Sequence, residues 1–206
     1  MTNVPRISAV FLDADGVVQL PARDWRIRLE ALCDCADRLD DFVSEIFEAE
    51  DACLAGTLDF ETQLARVLEK WGIASSFGEV LRIWASIEPN YAILELVSEL
   101  RHQGVRVALA TNQQRHRAAW MSKEYAPLFD HLLFSCDLGC AKPSPEYYQA
   151  ALSSVGIEPD SVLFLDDREA NIETAKASGM CAELFHIDQG VSVARAILRT
   201  YGVQIA

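Results

Sequence analysis

The chain has 206 residues, of which 50% are hydrophobic and 24% are charged, a composition typical of a globular protein with one sizeable core. Its formal net charge of −13 argues against a nucleic-acid partner, because proteins that bind DNA or RNA usually present a basic surface. No stretch approaches the roughly 18 apolar residues of a membrane span, and the start of the chain has no apolar run of signal-peptide length. We therefore expect a cytoplasmic protein with reduced cysteines that binds neither nucleic acid nor a membrane. The sequence does not define an oligomeric state, and a monomer is one option.

A long helical segment follows the first predicted strand, ISAVFLD. Residues 20–89 are too many for a single connection between parallel strands, which needs about a dozen residues. Apolar residues in this segment recur at helical spacing in three runs, over 25–51, 59–72 and 76–87. We predict an all-helical insertion over residues 19–88, inserted into a core formed by residues 1–18 and 89–206.

Three later segments each join a helical run to a short apolar run through a glycine. AILELVSELRHQG ends at Gly104 before VRVALAT, SPEYYQAALSSVG ends at Gly156 before SVLFLDD, and REANIETAKASG ends at Gly179 before CAELF. Short continuous apolar runs are typical of strands buried on both faces of a parallel sheet. The sequence therefore predicts an α/β fold with a doubly wound, Rossmann-like parallel sheet, and SVARAILRTYGV predicts a last helix packed against it.

Polar residues lie where the predicted strands end. They are Asp13, Asp15, Thr111, Asn112, Lys142, Asp166 and Asp167. In such a sheet the carboxyl ends of the strands face one crevice, so these side chains are expected to meet. Two carboxylates about 4 Å apart repel by about 4 kcal/mol at an effective dielectric of about 20, and one lysine cannot balance four of them. A hard divalent cation can, and Mg²⁺ fits better than Ca²⁺ because it keeps waters and often bridges to a substrate phosphate.

Each of these residues also has an ordinary structural explanation. Thr111 and Asn112 could cap the helix that follows them, and Lys142 could be a solvated side chain before a proline turn. Asp13 and Asp15 could form a polar turn that merely ends the first strand. Asp166 and Asp167 could be the N-cap and first turn of a helix, where acidic groups favour the helix dipole. Their arrival at one edge of the sheet favours a site instead. The sequence contains no GxxxxGK[ST], GxGxxG, GxSxG or HExxH, which removes the usual carriers of nucleotide binding, serine-esterase and zinc-protease chemistry.

Four stretches in order, FLDADGVV, LATN, AKPSPEYY and VLFLDDREANIETAKASGM, resemble the motifs of the haloacid dehalogenase-like (HAD) hydrolase superfamily. The helical insertion lies where that family carries its first type of cap domain. The spacing and the cap are most similar to the small-sugar-phosphate phosphatases, α-D-glucose-1-phosphate phosphatases among them. The resemblance implies a HAD core with an inserted cap, and a Mg²⁺-dependent phosphatase that hydrolyses a small phosphate ester through an aspartyl phosphate.

The resemblance also implies catalytic and metal-binding roles. Asp13 would be the nucleophile that attacks phosphorus, and Asp15 would protonate the leaving alkoxide and later deprotonate the attacking water. The ion would be held by Asp13, by the backbone carbonyl of Asp15, by Asp167, and by Asp166 either directly or through water. All four residues would then belong to one metal and reaction centre.

Phosphate binding is implied for the remaining strand-end residues. Thr111, Lys142 and the backbone N–H of Asn112 would contact the phosphoryl oxygens. Asn171, four residues after Asp167, would hold the loop that carries Asp166 and Asp167 in position without itself binding the substrate. The identity of the leaving group would depend on side chains of the cap.

Three alternative functions remain open at this level. The same superfamily hosts hydrolytic 2-haloacid dehalogenases, but that branch needs neither a metal nor a second aspartate in the first motif, so Asp15 and the Asp166–Asp167 pair argue against it. A sugar phosphomutase would return the phosphoryl group to its sugar, and only the cap would distinguish it from a phosphatase. A non-catalytic binding protein is disfavoured because every expected catalytic residue is present.

Overall fold

The computed structural model of the protein describes residues 7–33 and 36–205. The strands in these residues are β1 (Ala9–Leu12), β2 (Gln19–Pro21), β3 (Ile87–Pro89), β4 (Arg106–Thr111), β5 (His131–Phe134), β6 (Val162–Asp166) and β7 (Cys181–Leu184). The α-helices are α1 (Trp25–Cys33), α2 (Leu39–Asp51), α3 (Phe60–Lys70), α4 (Phe77–Trp84), α5 (Tyr91–His102), α6 (Arg115–Tyr125), α7 (Ser135–Leu138), α8 (Pro145–Val155), α9 (Glu169–Ala177) and α10 (Val191–Thr200).

Five strands form one parallel sheet in the order β5-β4-β1-β6-β7. The chain begins at the central strand β1, moves outward through β4 to β5, and then crosses back to β6 on the other side of β1. Ligands of open α/β sheets bind at such a reversal of strand order, beyond the carboxyl ends of the strands. The predicted doubly wound α/β fold is confirmed, and its central strand leads directly to Asp13.

The two faces of the sheet are covered by different helices. Val10 and Leu12 of β1 belong to a buried cluster with residues of α5, α6 and α10. Ala9 and Phe11 belong to a second cluster with residues of α8 and α9. Because both faces are buried, the strands are continuous apolar runs in the sequence. Full burial of a side chain such as Phe11 stabilises the fold by about 1.5–3 kcal/mol.

Residues 22–86, which lie between β2 and β3 and contain helices α1 to α4, are called the helical unit below, and they form a hydrophobic cluster of their own. Helix α3 begins after Asp59, whose carboxylate accepts a hydrogen bond from the Thr62 N–H at 2.8 Å and so caps the helix. The run over 25–51 is divided into α1 and α2 by a 3₁₀ turn at Ala36–Arg38. Leu29 of α1, Ile46 of α2 and Leu64 of α3 are fully buried in the cluster.

The ends of the insertion differ from the all-helical prediction for residues 19–88. Strands β2 and β3 pair antiparallel, with Gln19 opposite Pro89 and Pro21 opposite Ile87. Each strand has only three residues and ends in proline, so neither shows the alternation that would reveal a strand in the sequence. The helical unit is therefore joined to the sheet through a two-stranded ribbon.

Four of the described cysteines, Cys53, Cys136, Cys140 and Cys181, carry free thiols, as expected. Cys33 is disulfide-bonded, so the expectation of a reduced thiol is wrong for this residue. That expectation followed from a general argument about redox compartment and chain size, which carries no information about how close two particular sulfurs lie. Cys35 lies outside the described residues. Among the helices that the structure describes, none is both long enough and apolar enough to span a bilayer.

Candidate active site

The candidate site lies beyond the carboxyl ends of β1, β4 and β6, beneath the helical unit. Asp13 immediately follows β1, Thr111 ends β4, and Asp166 ends β6. The Asp13 N–H donates to the Leu165 carbonyl at 2.9 Å, which continues the strand pairing and fixes the backbone of the aspartate. A pocket of about 320 Å³ opens here, with sheet residues on one side and residues of α1, α2 and α4 on the other.

Lys142 connects two of the carboxylates. Its Nζ donates to Asp13 Oδ1 at 2.7 Å, to Asp166 Oδ2 at 2.6 Å and to the Ala110 carbonyl at 2.9 Å. Lys142 and Asp166 are 5% and 0% exposed, so these are buried ion pairs with little screening by water. All three ammonium protons thus have an acceptor.

The charges in this cluster do not balance. Burial raises the pKa of Asp13 to about 7; Lys142 opposes this shift, and repulsion from Asp166 adds to it. Burial also raises the pKa of Asp167, again with a contribution from Asp166. Burial disfavours the ammonium of Lys142, but the carboxylates of Asp13 and Asp166 outweigh that effect and raise its pKa. The site therefore has a deficit of positive charge at neutral pH.

Three carboxylates are arranged so that one ion could contact them all. Asp13, Asp166 and Asp167 each offer an oxygen, and these oxygens lie within 4.8 Å of one another. An ion about 2.1 Å from each ligand, as Mg²⁺ requires, spans up to about 4 Å between ligands, so a small side-chain adjustment suffices. Gly16 makes room for this arrangement, because a Cβ at its position would lie 2.3 Å from Asp167 Oδ2. The oxygen ligands and the missing positive charge fit Mg²⁺.

The Asp15 carboxylate lies outside that group of three. It accepts hydrogen bonds from Gln19 Nε2 at 2.9 Å, from Gln113 Nε2 at 2.8 Å and from a terminal guanidinium nitrogen of Arg117 at 2.7 Å. Its side chain therefore faces α6 and the pocket, whereas Asp13 faces Lys142. The motif resemblance implies a metal contact for Asp15 only through its backbone carbonyl, and the carboxylate lines the pocket.

Asn112 holds the loop that carries Lys142. Its Nδ2 donates to the Lys142 carbonyl and its Oδ1 accepts from the Lys142 N–H, both at 2.8 Å. Thr111 is buried and lines the pocket. Neither residue caps α6, because that helix begins at Arg115 and the side chain of Gln114 accepts from its first N–H groups. The capping explanation for Thr111 and Asn112 is therefore wrong.

Asp166 is held in place by Asn171 from α9. The Asn171 Nδ2 lies 2.8 Å and 2.9 Å from the two carboxylate oxygens of Asp166, and the Arg168 N–H donates to Oδ1 at 2.9 Å. The N-cap of α9 is Arg168, so neither Asp166 nor Asp167 occupies the capping position. The sequence related Asn171 to Asp167 by spacing, whereas its contact is with Asp166.

Several residues around Asp15 did not emerge from the sequence. Gln19, Gln113 and Arg117 hold the Asp15 carboxylate, and the helical unit contributes side chains from α1, α2 and α4. Two signals were available: Gln113 directly follows the LATN motif, and Arg117 lies in the first turn of the helix after it. The helical-unit residues that line the pocket include Trp25, Phe47, Glu50, Leu54, Ile83 and Trp84.

Residues 7–179 match the haloacid dehalogenase-like hydrolases. The chain belongs to this family. Among curated relatives of this chain, phosphatase MT3486 of Mycobacterium tuberculosis is 30% identical over 193 residues, covering 86% of the chain and 87% of that protein. Bifunctional epoxide hydrolase 2 of Sus scrofa is 31% identical over 122 residues, which are 56% of the chain and 22% of that protein. The chain thus spans about a quarter of the bifunctional epoxide hydrolases that it matches.

Solved structures share the fold of this chain. HAD family enzyme bt-2542 from Bacteroides thetaiotaomicron, solved as a magnesium complex, superposes with a TM-score of 0.75 at 21% identity, covering 87% of the chain and 93% of that protein. The L-2-haloacid dehalogenase RSc1362 superposes with a TM-score of 0.67 at 17% identity, covering 86% and 85% respectively. At these identities the likeness concerns the fold alone.

Proposed function

We propose that this hydrolase is a Mg²⁺-dependent phosphatase that acts on a small phosphorylated metabolite through an aspartyl phosphate on Asp13. The observation that carries the proposal is the group of three carboxylates, buried Asp13 and Asp166 paired with one lysine and half-buried Asp167, next to a second aspartate, Asp15, that lines the pocket. Phosphatase MT3486, a relative over most of the chain, supports the same reaction class. A sugar phosphate remains the substrate that the motif resemblance suggests.

The first half of the proposed reaction transfers the phosphoryl group to the protein. An Asp13 carboxylate oxygen attacks phosphorus, and the bond between phosphorus and the leaving oxygen breaks. The leaving oxygen takes a proton from the Asp15 carboxyl, so an alcohol departs. Thr111 and the Asn112 N–H contact the phosphoryl oxygens, whose charge spreads in the transition state. Lys142 contacts them by exchanging one of its present acceptors, Asp13, Asp166 or the Ala110 carbonyl, for a phosphoryl oxygen.

The second half restores the enzyme. The Asp15 carboxylate takes a proton from a water molecule, and the resulting hydroxide attacks the phosphorus of the aspartyl phosphate. The bond between phosphorus and the Asp13 oxygen breaks, inorganic phosphate leaves, and the two aspartates return to their starting states. A bound Mg²⁺, held by Asp13, Asp166, Asp167 and the backbone carbonyl of Asp15, would supply positive charge that reduces repulsion between Asp13 and the phosphate dianion.

We assign the helical unit the role of a cap that covers this reaction, inserted over residues 19–88 between core segments 1–18 and 89–206. Its separate hydrophobic cluster and its attachment through the β2–β3 ribbon support that division. The Glu61 carboxylate lies 2.9 Å from Nδ1 of His116, so α3 also contacts α6 of the core. Such a cap excludes water from the pocket and supplies the contacts to the leaving group.

A haloacid dehalogenase is the alternative with the same covalent logic. In that reaction Asp13 would attack a carbon atom instead of phosphorus. The reaction needs no metal ion, whereas the three carboxylates here lack a compensating positive charge. A phosphomutase would share every step up to the aspartyl phosphate and would return the phosphoryl group to a second hydroxyl. Release of inorganic phosphate, chloride or an isomeric ester distinguishes these three reactions directly.

The test is hydrolysis of p-nitrophenyl phosphate with Mg²⁺ or with EDTA. We expect turnover by the wild type with Mg²⁺ only, and a loss of at least about a thousandfold in Asp13→Asn. Asp160→Asn is the matched control, because Asp160 is an exposed aspartate at the opposite end of β6, and it should keep full activity. Activity in Asp13→Asn, or activity that is unaffected by EDTA, would contradict the proposal.

A further inference from the structure

The side of the pocket formed by the helical unit is an aromatic wall, which we define as Trp25, Phe47 and Trp84. The ring centroids are 5.9 Å apart for Trp25–Trp84, 4.8 Å for Phe47–Trp84 and 6.4 Å for Trp25–Phe47, and all three pairs are edge-to-face. Phe47 is 47% exposed although it is a large apolar side chain. An exposed ring inside a pocket gains free energy when an apolar ligand covers it.

One carboxylate stands next to this wall. Glu50 follows Phe47 by three residues on α2, so both side chains lie on the same face of the helix. Glu50 is 8% exposed, and its Oε1 is buried without a hydrogen-bond partner. A buried acceptor left without a donor is unfavourable, and a donor on a ligand would relieve this.

Three side chains lie near Glu50. Arg117, Trp84 and Gln114 oppose the rise in the pKa of Glu50 that burial causes, but the Arg117 guanidinium is directed to Asp15 at 2.7 Å. Glu50 Oε1 and Trp84 Nε1 both lack a hydrogen-bond partner within bonding distance. Among the residues that the structure describes, the helical unit contributes two other polar residues to the pocket lining, Ser86 and Asp51. Ser86 donates to the Arg82 carbonyl, and Asp51 is exposed to water. Glu50 is therefore the buried acceptor on this side of the pocket.

We propose that the helical unit selects phosphate monoesters whose leaving group is a mainly apolar body carrying a hydrogen-bond donor, a hydroxyl or an amine, that binds Glu50. This inference rests on the proposed function and specifies its substrate class. It differs from the sugar phosphate suggested by motif resemblance, because a hexose would place several hydroxyls against an aromatic wall with one buried acceptor. Each hydroxyl without a partner would weaken binding.

The experiment compares three groups of esters in the presence of Mg²⁺: alkyl phosphates of increasing chain length, the matching ω-hydroxyalkyl phosphates, and glucose 6-phosphate. We expect the best hydroxyalkyl ester to exceed its alkyl counterpart in kcat/KM by at least about tenfold, as a hydrogen bond to a charged acceptor allows. The same ester should exceed glucose 6-phosphate. Calorimetric affinities of the corresponding phosphonates should follow the same order without any turnover.

Glu50→Met should reduce the ratio of kcat/KM between hydroxyalkyl and alkyl esters to about one, because it removes the acceptor and keeps the chain length. Glu50→Gln keeps a neutral acceptor and should retain an intermediate ratio, which separates this effect from misfolding. Glu48→Met is the matched control, since Glu48 is exposed on the same helix, and it should keep the wild-type ratio. An unchanged ratio in Glu50→Met would overturn the assignment of Glu50.

The aromatic wall has a separate test. Phe47→Ala should lower kcat/KM for the alkyl esters by about three- to tenfold, because it removes apolar surface that the ligand covers. Ile27→Ala changes another exposed apolar side chain of the helical unit and should have no effect.

Two results identify which proposal fails. If p-nitrophenyl phosphate is hydrolysed with Mg²⁺ but all three groups of esters react equally, or glucose 6-phosphate is preferred, only this inference is wrong. If the wild type hydrolyses no phosphate ester, the proposed function fails and the inference fails with it.

Discussion

Replacing Lys142 with methionine perturbs the electrostatics of the site at its centre. Each of the two ion pairs, at 2.7 and 2.6 Å, corresponds to about 6 kcal/mol of attraction at an effective dielectric of about 20, most of which offsets the loss of hydration on burial. Removing one partner of a buried ion pair usually costs about 3–5 kcal/mol, because a charge is left uncompensated. We expect a loss of that size in the free energy of unfolding at about pH 8 in EDTA.

The assay is urea denaturation followed by circular dichroism, with Lys123→Met as control because Lys123 is an exposed lysine on α6. Two conditions should reduce the loss in Lys142→Met. Saturating Mg²⁺ should replace part of the missing charge, and a pH of about 4 should protonate Asp13, whose pKa is raised by its burial. A loss below about 1 kcal/mol, or a loss identical in Mg²⁺ and in EDTA, would refute this account of the charge balance.

Two further predictions concern Asp13 and Asn171. Because the pKa of Asp13 rises from 3.8 to about 7 on folding, its contribution to stability is lost as the pH rises through that interval. In EDTA, Asp13→Asn should therefore be more stable than the wild type at about pH 8 in urea titrations, and the difference should vanish near pH 4. Equal stability at both pH values would contradict this. Asn171→Ala should weaken Mg²⁺ binding about tenfold by calorimetry, because the Asp166 carboxylate loses its hydrogen-bonded support. Glu173→Ala on the same helix should not weaken it, and equal affinities of the two variants would contradict the role of Asn171.

The central part of the fold could be predicted because burial on both faces leaves a clear sequence pattern. The apolar runs that became β1, β4 and β6 each end in polar residues, and parallel strands bring those ends together without further information. Asp13, Thr111 and Asp166 therefore meet as the sequence predicts. Gly156 and Gly179, with φ of 65° and 88°, ended helices as expected because residues with side chains rarely adopt that backbone conformation.

Contacts that depend on the rotation of a helix could not be predicted in the same way. Asp15 is held by Gln113 and Arg117, which are polar side chains that would be unremarkable on a solvated helix. In α2, helical periodicity places Phe42 and Ile46 on one apolar face, which is the buried one. It does not show that Phe47 and Glu50 face the pocket. That orientation follows from the packing of α2 against α3 and from the ribbon that attaches the helical unit.

The central claim is that Asp13 carries the phosphoryl group. Its most direct test is to mix the wild type with Mg²⁺ and p-nitrophenyl phosphate, quench during turnover, reduce with borohydride and map the peptides by mass spectrometry. An aspartyl phosphate is reduced to homoserine, so we predict homoserine at position 13 in the wild type and its absence when Mg²⁺ is omitted. Modification at Asp15, Asp166 or Asp167, or steady release of phosphate with position 13 unmodified, would contradict the account.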